Sequence, residues 1–301
     1  MAKQAPQPDG GQTSERLPSF KHPPVIETVL GVQFDRLPGL TNAHLGAFWR
    51  WLQTLQGAEW KGLSAQQWTD VTDVPAIDPV AEEFGDEQSW GPLVGKLKLT
   101  QDPSSRLQIR NHAKDRMIQV QNGRVHYNWV KKDDAPYPRY TSIRPDFDEV
   151  MNALTVFLAE AKLGEAHVNQ WEVTYVNIFR RGTVWERLAD LRGLLRLPPV
   201  LGAAVDPLKL ETFRGSWHYQ IPPQRGRLHI ELQHGRTALG GGEEEVLKMI
   251  LTARGPVGDV SGDDTGWGRG LDLGRAAIVR TFLLLTSPEA HAYWGLEHDS
   301  A

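Results

Sequence analysis

Two histidines and a glutamate, His218, His229 and Glu231, have side chains that could perform chemistry together. Each lies in a run in which apolar and polar residues alternate, a pattern typical of β-strands. If the two strands are neighbours, the imidazoles and the carboxylate converge as a metal triad or as a general-base pair. Strand register decides this, because a slip of one residue turns a whole set of side chains to the other face. An enzyme centred on these residues is therefore one hypothesis.

The same alternation predicts a polar face on each of two sheets. Its residues are Gln108, Arg110, His112, Gln119, Gln121, His126 and Asn128 in the first half, and Arg214, Ser216, His218, Gln220, His229, Glu231 and Gln233 in the second. These groups offer hydrogen bonds in varied geometry with little formal charge, which suits recognition of a partner. The alternative is an ordinary half-exposed sheet, whose outer face is polar because it meets water.

A basic pair, Arg180 and Arg181, directly follows a predicted strand of the second half. At the rim of the polar face, this pair would suit a phosphate or a carboxylate. Together with Arg110 and Arg214 it supports a nucleic-acid-binding hypothesis. The whole chain argues against that hypothesis, since 33 Lys and Arg residues against 37 Asp and Glu residues give a net charge of −4 and no general positive field.

Several other kinds of chemistry are excluded or disfavoured. The chain has no cysteine, which removes disulfides, thiolate catalysis and Cys-ligated zinc. Neither Gly-x-Ser-x-Gly nor His-Glu-x-x-His occurs. Gly266, Gly268 and Gly270 precede a predicted helix, as glycines of a phosphate-binding loop do, but no Gly-Lys-Ser/Thr follows them. We therefore expect 255–270 to form a mobile surface loop. We expect no cofactor and no metal ion.

Residue periodicity predicts a strand, a helix, several strands and a helix in the first half. The strand is 24–34, a helix capped by Thr41 ends at Gly57, and alternating runs lie at 97–99, 107–109, 118–120 and 125–129. Asn122-Gly123 predicts a type I′ hairpin turn between the last two runs. Pro145 fits the first turn of a helix that ends near Lys162, whereas 58–92 has no assignment.

The second half predicts a similar order. It comprises a strand at 170–179, a helix at 184–196, strands at 213–221, 227–233 and 246–254, and helices at 271–285 and 288–294. Glu27 and Phe34 are spaced as Glu172 and Phe179 are. This repetition predicts an α+β fold of two similar halves, 21–164 and 165–301, each a curved antiparallel sheet with helices on one face.

The first twenty residues are rich in Pro, Gln, Gly and Ser and predict a disordered tail, 1–20. They lack the continuous apolar stretch of a signal peptide, and no later segment is long and apolar enough to span a bilayer. We therefore expect no membrane association and a cytoplasmic location.

Three motifs, HPPVIETVLGVQF, WEVTYVNIFRRG and the closing SPEAHAYWG, resemble a sporadically distributed family of uncharacterised bacterial proteins. The resemblance covers most of the chain beyond Lys21. It brings no activity and no catalytic residues, and it implies a bacterial origin, in keeping with an accessory of a mobile or defence locus. The repeated element order also resembles, at the level of fold, the duplicated saddle of TATA-box-binding-like proteins.

These observations favour a non-catalytic recognition or adaptor protein that binds a macromolecular partner, above all another protein, on a polar sheet face. An enzyme centred on His218, His229 and Glu231 is the first alternative. Nucleic-acid binding is the second.

Overall fold

The computed structural model describes residues 17–77, 105–133, 135–196, 210–222, 226–237, 243–257 and 266–297. Within these residues, nine strands form one antiparallel sheet with helices packed on one of its faces. The predicted α+β class is therefore confirmed. The sheets of the two halves meet edge to edge and make a single layer.

The first half contains five strands of this sheet. Its elements are β1 (Ser19–Phe20), β2 (Val25–Phe34), α1 (Asn42–Leu52), α2 (Lys61–Ala65), β3 (Trp68–Pro75), β4 (Ser105–Asn111), β5 (Arg116–Gln121), β6 (Arg124–Val130) and α3 (Tyr140–Glu160). A 3-10 turn, Ala58–Trp60, leads into α2.

The second half contributes four strands. Its elements are β7 (Val168–Arg180), α4 (Leu191–Leu194), β8 (Arg214–Ile221), β9 (Gly226–Thr237), β10 (Glu244–Pro256), α5 (Trp267–Leu285), α6 (Pro288–Trp294) and β11 (Leu296–Glu297). The strand order of the sheet is β3-β4-β5-β6-β2-β7-β10-β9-β8, and β1 pairs with β11 separately. The two strands that open the halves, β2 and β7, therefore lie side by side at its centre.

The pairing of β2 with β7 relates the halves by a local two-fold axis. Glu27 lies opposite Val176, and Glu172 lies opposite Gly31. Each position of β2 therefore pairs with the residue of β7 that lies the same distance from the centre on the other side. The centre is the pair of Val29 and Thr174, which lie opposite each other. We call this β2–β7 pairing the seam.

Helices α1, α3, α5 and α6 pack on the apolar face of the sheet. Tyr127 of β6 donates its hydroxyl to Asp146 of α3 at 2.8 Å, and Phe179 of β7 stacks on Trp294 of α6. The core between sheet and helices includes the fully buried side chains of Leu30, Ile109, Ile118, Tyr127, Trp129, Phe147, Leu154 and Phe179. Alternation with a period of two is what turns these residues to one side.

Helix α3 begins at Tyr140, earlier than the predicted start at Pro145. The ring of Tyr140 is buried and its hydroxyl donates to Asp272 of α5 at 2.7 Å. This contact fixes the first turn of α3, so the proline lies inside the helix, where it lacks one backbone donor.

The helix expected at 184–196 is much shorter, because the chain turns sharply before it. The carboxylate of Asp190 accepts hydrogen bonds from the backbone N–H groups of Glu186 and Arg187, at 3.1 and 2.8 Å. A 3-10 turn, Leu188–Asp190, and the four residues of α4 follow.

Other segments also differ from the sequence expectations. Strand β1 lies within the expected tail, where Phe20 is buried against Phe282 and Trp294. Residues 267–270 belong to α5 rather than to a loop, and α2 and β3 occupy part of the unassigned connection. The expected strand at 97–99, the tail up to residue 16 and the loop at 258–265 lie outside the described residues.

No helix in the described part of the chain has the length and apolar character needed to cross a bilayer.

A glycine lets α5 pack closely on the sheet, and this contact can be tested. A Cβ at Gly270 would overlap the indole of Trp171, which is 2% exposed, whereas a Cβ at Gly46 of α1 would meet nothing within 4 Å. We expect Gly270→Ala to lower the free energy of unfolding by about 1–3 kcal/mol through overpacking. Gly46→Ala, the matched control, should raise it by about 0.5–1 kcal/mol through helix propensity. Urea denaturation measures both, and equal effects would refute the packing argument.

Candidate recognition face

The sheet face opposite the helices carries a row of residues that crosses all nine strands. In spatial order the paired positions are Thr72, Gln108, Gln119, His126, Gly31, Glu172, Arg254, Arg227 and Gln220. We call this the central row. Every position except Gly31 is polar, so the row offers hydrogen-bonding groups across the whole width of the sheet.

Gly31 sits where the row crosses the seam, and the ring of His126 covers it. A Cβ at Gly31 would overlap that ring. The absence of a side chain therefore lets the imidazole lie flat on the sheet and point toward Glu172 of the neighbouring strand. Their closest atoms, His126 Nε2 and Glu172 Oε1, are 3.6 Å apart, which is too long for a hydrogen bond.

Glu172 is buried, and its carboxylate accepts a hydrogen bond from Arg254 Nε at 2.6 Å. Burial by itself would raise the pKa of Glu172, but the charges of His126, Arg254 and Arg124, and the hydrogen bond from Arg254, lower it overall. Since His126 is itself neutral near pH 7, we attribute this lowering mainly to the two guanidinium groups. The carboxylate is therefore held ionised at the centre of the face.

His126 is 6% exposed, and burial lowers its pKa to about 4. Glu172 opposes this shift, whereas the charges of Arg124, Arg106 and Arg254 add to it. The imidazole is therefore neutral at physiological pH. It can accept or donate a hydrogen bond but carries no charge there.

In the first half, amide side chains form a continuous hydrogen-bonded chain that crosses four strands, from β4 through β5 and β6 to β2. Arg110 Nη2 donates to Gln108 (2.7 Å), Gln108 to Gln119 (3.2 Å), Gln119 to Asn128 (2.8 Å), and Asn128 to Glu27 (2.6 Å). The chain runs from a guanidinium to a carboxylate, so each bond polarises the next. Gln119 and Asn128 are buried, and their groups are satisfied internally.

The outer strands of the second half are more exposed, and two of the three predicted chemical residues meet there. His218 Nδ1 and His229 Nδ1 are 3.2 Å apart. Glu231 instead lies 4.0 Å from Arg214, in an exposed ion pair. Among the described residues, no group of three or more His, Asp or Glu side chains could hold a metal ion. The structure thus pairs the two imidazoles and directs the carboxylate to a guanidinium.

Two residues of the first half that were predicted to bind a partner do not lie free on the polar face. His112 follows the end of β4 and lies exposed in the turn before β5. Gln121 uses both ends of its amide on the backbone of Ile77: its Oε1 accepts from the N–H at 2.9 Å, and its Nε2 donates to the carbonyl at 2.7 Å. Gln121 therefore positions the chain after β3.

The basic pair at the end of β7 is neutralised by glutamates. Arg180 lies 3.4 Å from Glu244, and Arg181 contacts Glu186 at 2.7 Å and Glu245 at 3.0 Å. All of these side chains are at least partly exposed, so the ion pairs add little to stability. They do cancel the positive charge that a phosphate would need.

Sequence reasoning missed the residues at the middle of the face: Gly31, Arg124, Glu172 and Arg254. A signal was present, because Trp171 and Val173 are apolar and the alternating Glu172 must then point to the opposite face. The match of Glu172 with Glu27 indicated the repeat. It did not indicate a charged centre, because the pairing of β2 with β7 cannot be read from the sequence.

The buried imidazole predicts a specific sensitivity to acid. In the unfolded chain His126 takes up a proton near pH 6.5, whereas in the folded state it does so only near pH 4. The unfolded state therefore binds more protons in this window, and the free energy of unfolding falls as the pH drops from about 6.5 to 4. His126→Gln should flatten this fall, by up to about 3 kcal/mol in total.

Urea denaturation at a series of pH values measures this effect. His112→Gln, the matched control at an exposed histidine, should keep the slope of the wild type. An unchanged slope in His126→Gln would show that this imidazole does not cause the acid sensitivity.

Comparison with known proteins adds little to this geometry. No family model matches the chain, and no curated protein matches it. Among solved structures, the crystal structure of the di-domain ARO/CYC StfQ from the steffimycin biosynthetic pathway aligns over 89% of this chain and 98% of its own, at 9% identity and a TM-score of 0.19. A TM-score of this size does not establish a common fold.

Proposed function

We propose that this chain is a cytoplasmic, non-catalytic recognition protein that binds another protein on the sheet face opposite the helices. The observation that carries the proposal is the central row, a band of polar side chains across nine strands on a face that no described helix covers. The partner would contact the exposed part of this face. The buried part would hold the sheet in shape.

Exposure divides the face into two regions with different roles. In the first half, Gln119, His126 and Asn128 are buried, and the amides of Gln119 and Asn128 are satisfied by neighbours. In the second half, exposed polar side chains project from β8 and β9: Arg214, Ser216, His218, Gln220, Glu231 and Gln233. Groups that still meet water are the ones that can exchange it for a partner's hydrogen bonds. We call these six residues the outer patch.

Charge and chemistry in the outer patch support recognition over catalysis. Within the outer patch an ion pair joins Arg214 to Glu231, so the carboxylate of Glu231 points to a guanidinium rather than to the two imidazoles. A general-base pair would need that carboxylate to orient a ring nitrogen.

The charge distribution also supports a protein partner over a nucleic acid. Arg180 and Arg181 lie beside glutamates, and the chain has a net charge of −4. A phosphate backbone would meet no continuous basic track on the outer strands. A protein surface with mixed polar groups is a better match for the polar side chains of these outer strands.

Blocking the outer patch should remove the partner. Ser216 is exposed between Arg214 and His218, so Ser216→Trp places a bulky ring there without touching the core. We expect affinity purification from the native host to recover one partner in stoichiometric amount with the wild type, and at least tenfold less with Ser216→Trp. Quantitative mass spectrometry of the eluates measures the ratio.

Leu284→Ser serves as the control, because Leu284 is 64% exposed on α5, on the opposite side of the sheet. It should retain the partner. Recovery of no partner with the wild type, or equal recovery with Ser216→Trp, would count against the proposal.

A further inference from the structure

A cavity of about 80 Å³ lies on the helical side of the seam, away from the recognition face. Its walls come from β2, β7, α5 and the segment 18–24 that precedes β2. Much of the wall is apolar, with Val25, Ile278, Val279 and Phe282 among the lining residues. An engineered apolar cavity of about 150 Å³ holds benzene, so this space admits a hydrocarbon group of about three to four carbons.

One end of the cavity carries a tyrosine hydroxyl. Tyr175 is 8% exposed and lines the cavity, and its oxygen accepts a hydrogen bond from the hydroxyl of Tyr137 at 3.2 Å. Within the described residues, no side chain accepts the proton of Tyr175 in turn. A ligand with an acceptor oxygen can take this proton.

A guanidinium borders the same cavity. Arg275 of α5 lies over the ring of Tyr140, 4.8 Å from its centroid, and forms no hydrogen bond or ion pair with the described residues. Burial raises the pKa of Tyr175, and the charge of Arg275 acts against that rise, so the guanidinium and the hydroxyl share one electrostatic environment. Together they supply a positive charge and a proton donor, the pair that a carboxylate accepts.

We propose that this cavity binds a small aliphatic carboxylate. The hydrocarbon part packs against Ile278, Val279 and Phe282, and the carboxylate lies between Arg275 and the hydroxyl of Tyr175. A neutral molecule of the same shape would leave the guanidinium without a counter-charge. This site is separate from the outer patch, so it does not depend on the proposed function.

The segment that closes the cavity is held at its far end. Phe20 is buried against Phe282, and β1 pairs with β11 through Ser19 and Glu297. Lys21 N–H donates to the carbonyl of Gly295 at 3.0 Å. A ligand that packs under this segment adds contacts to it, so its backbone amides should exchange more slowly when the ligand is bound.

The test is an NMR titration of the full chain with isovalerate, using isoamyl alcohol as the neutral analogue of the same shape. We expect isovalerate to bind with a dissociation constant of about 1 mM and the alcohol to bind at least tenfold more weakly. Arg275→Gln should weaken isovalerate at least tenfold, because it removes the charge. Tyr175→Phe should weaken it about threefold to tenfold, because it removes the donor.

Controls separate the site from general effects on α5. Arg280→Gln, at an exposed arginine of the same helix outside the cavity, should bind isovalerate as the wild type does. Val279→Phe fills the cavity from a partly exposed position and should abolish binding while the circular dichroism spectrum stays unchanged.

The proposal is overturned if isovalerate causes no shifts, if the alcohol binds equally well, or if Arg280→Gln weakens binding as much as Arg275→Gln. Binding that survives in a folded Val279→Phe variant would also overturn it, since the ligand would then lie elsewhere.

Discussion

The pairing of β2 with β7 is the constraint on which the rest of the structure depends. It places Gly31 opposite Glu172, and only a glycine there leaves room for the ring of His126. It also covers an edge of each half that would otherwise expose unpaired backbone groups. The helices follow from it, because α5 packs on Trp171 and Val173 of β7, beside the strand that opens the first half. Two sheets of four and five strands thereby become one.

The charged centre of the face specifies this arrangement more than it stabilises it. Removing a carboxylate and a guanidinium from water costs several kcal/mol, and their attraction returns only part of that cost. The register of the seam, by contrast, depends directly on these charged groups. A slip of two residues along the seam would bring Val29 or Gln33 opposite Glu172, and it would move the carboxylate away from the His126 ring, which stays over Gly31. The polar centre therefore disfavours alternative pairings that the apolar core alone would tolerate.

The sequence predicts the strands well here because the periodicity of two is regular, whereas it missed the early start of α3 and the short length of α4. The turn at Asn122-Gly123 lies where expected, but only Gly123 has a positive φ, of 97°. Asn122 instead uses its amide to hold the backbone of Leu37 and Leu40. Contacts of this kind join residues far apart in the chain. The hydrogen bond between Arg254 and Glu172 is another example. No local pattern encodes them, and for the same reason the burial of His126 was not predictable.

The recognition face and the cavity share strands, because successive residues of a strand point to opposite sides. Along β7, Glu172 and Thr174 face the polar side, while Tyr175 lines the cavity. The closing segment leads directly into β2, where Val25 lines the cavity and Glu27 is the final acceptor of the amide chain. Anything that orders this segment therefore also orders the start of β2. Because Glu27 pairs with Val130 of the neighbouring strand β6, its carboxylate lies beside Asn128 and accepts the last hydrogen bond of the amide chain on the polar face.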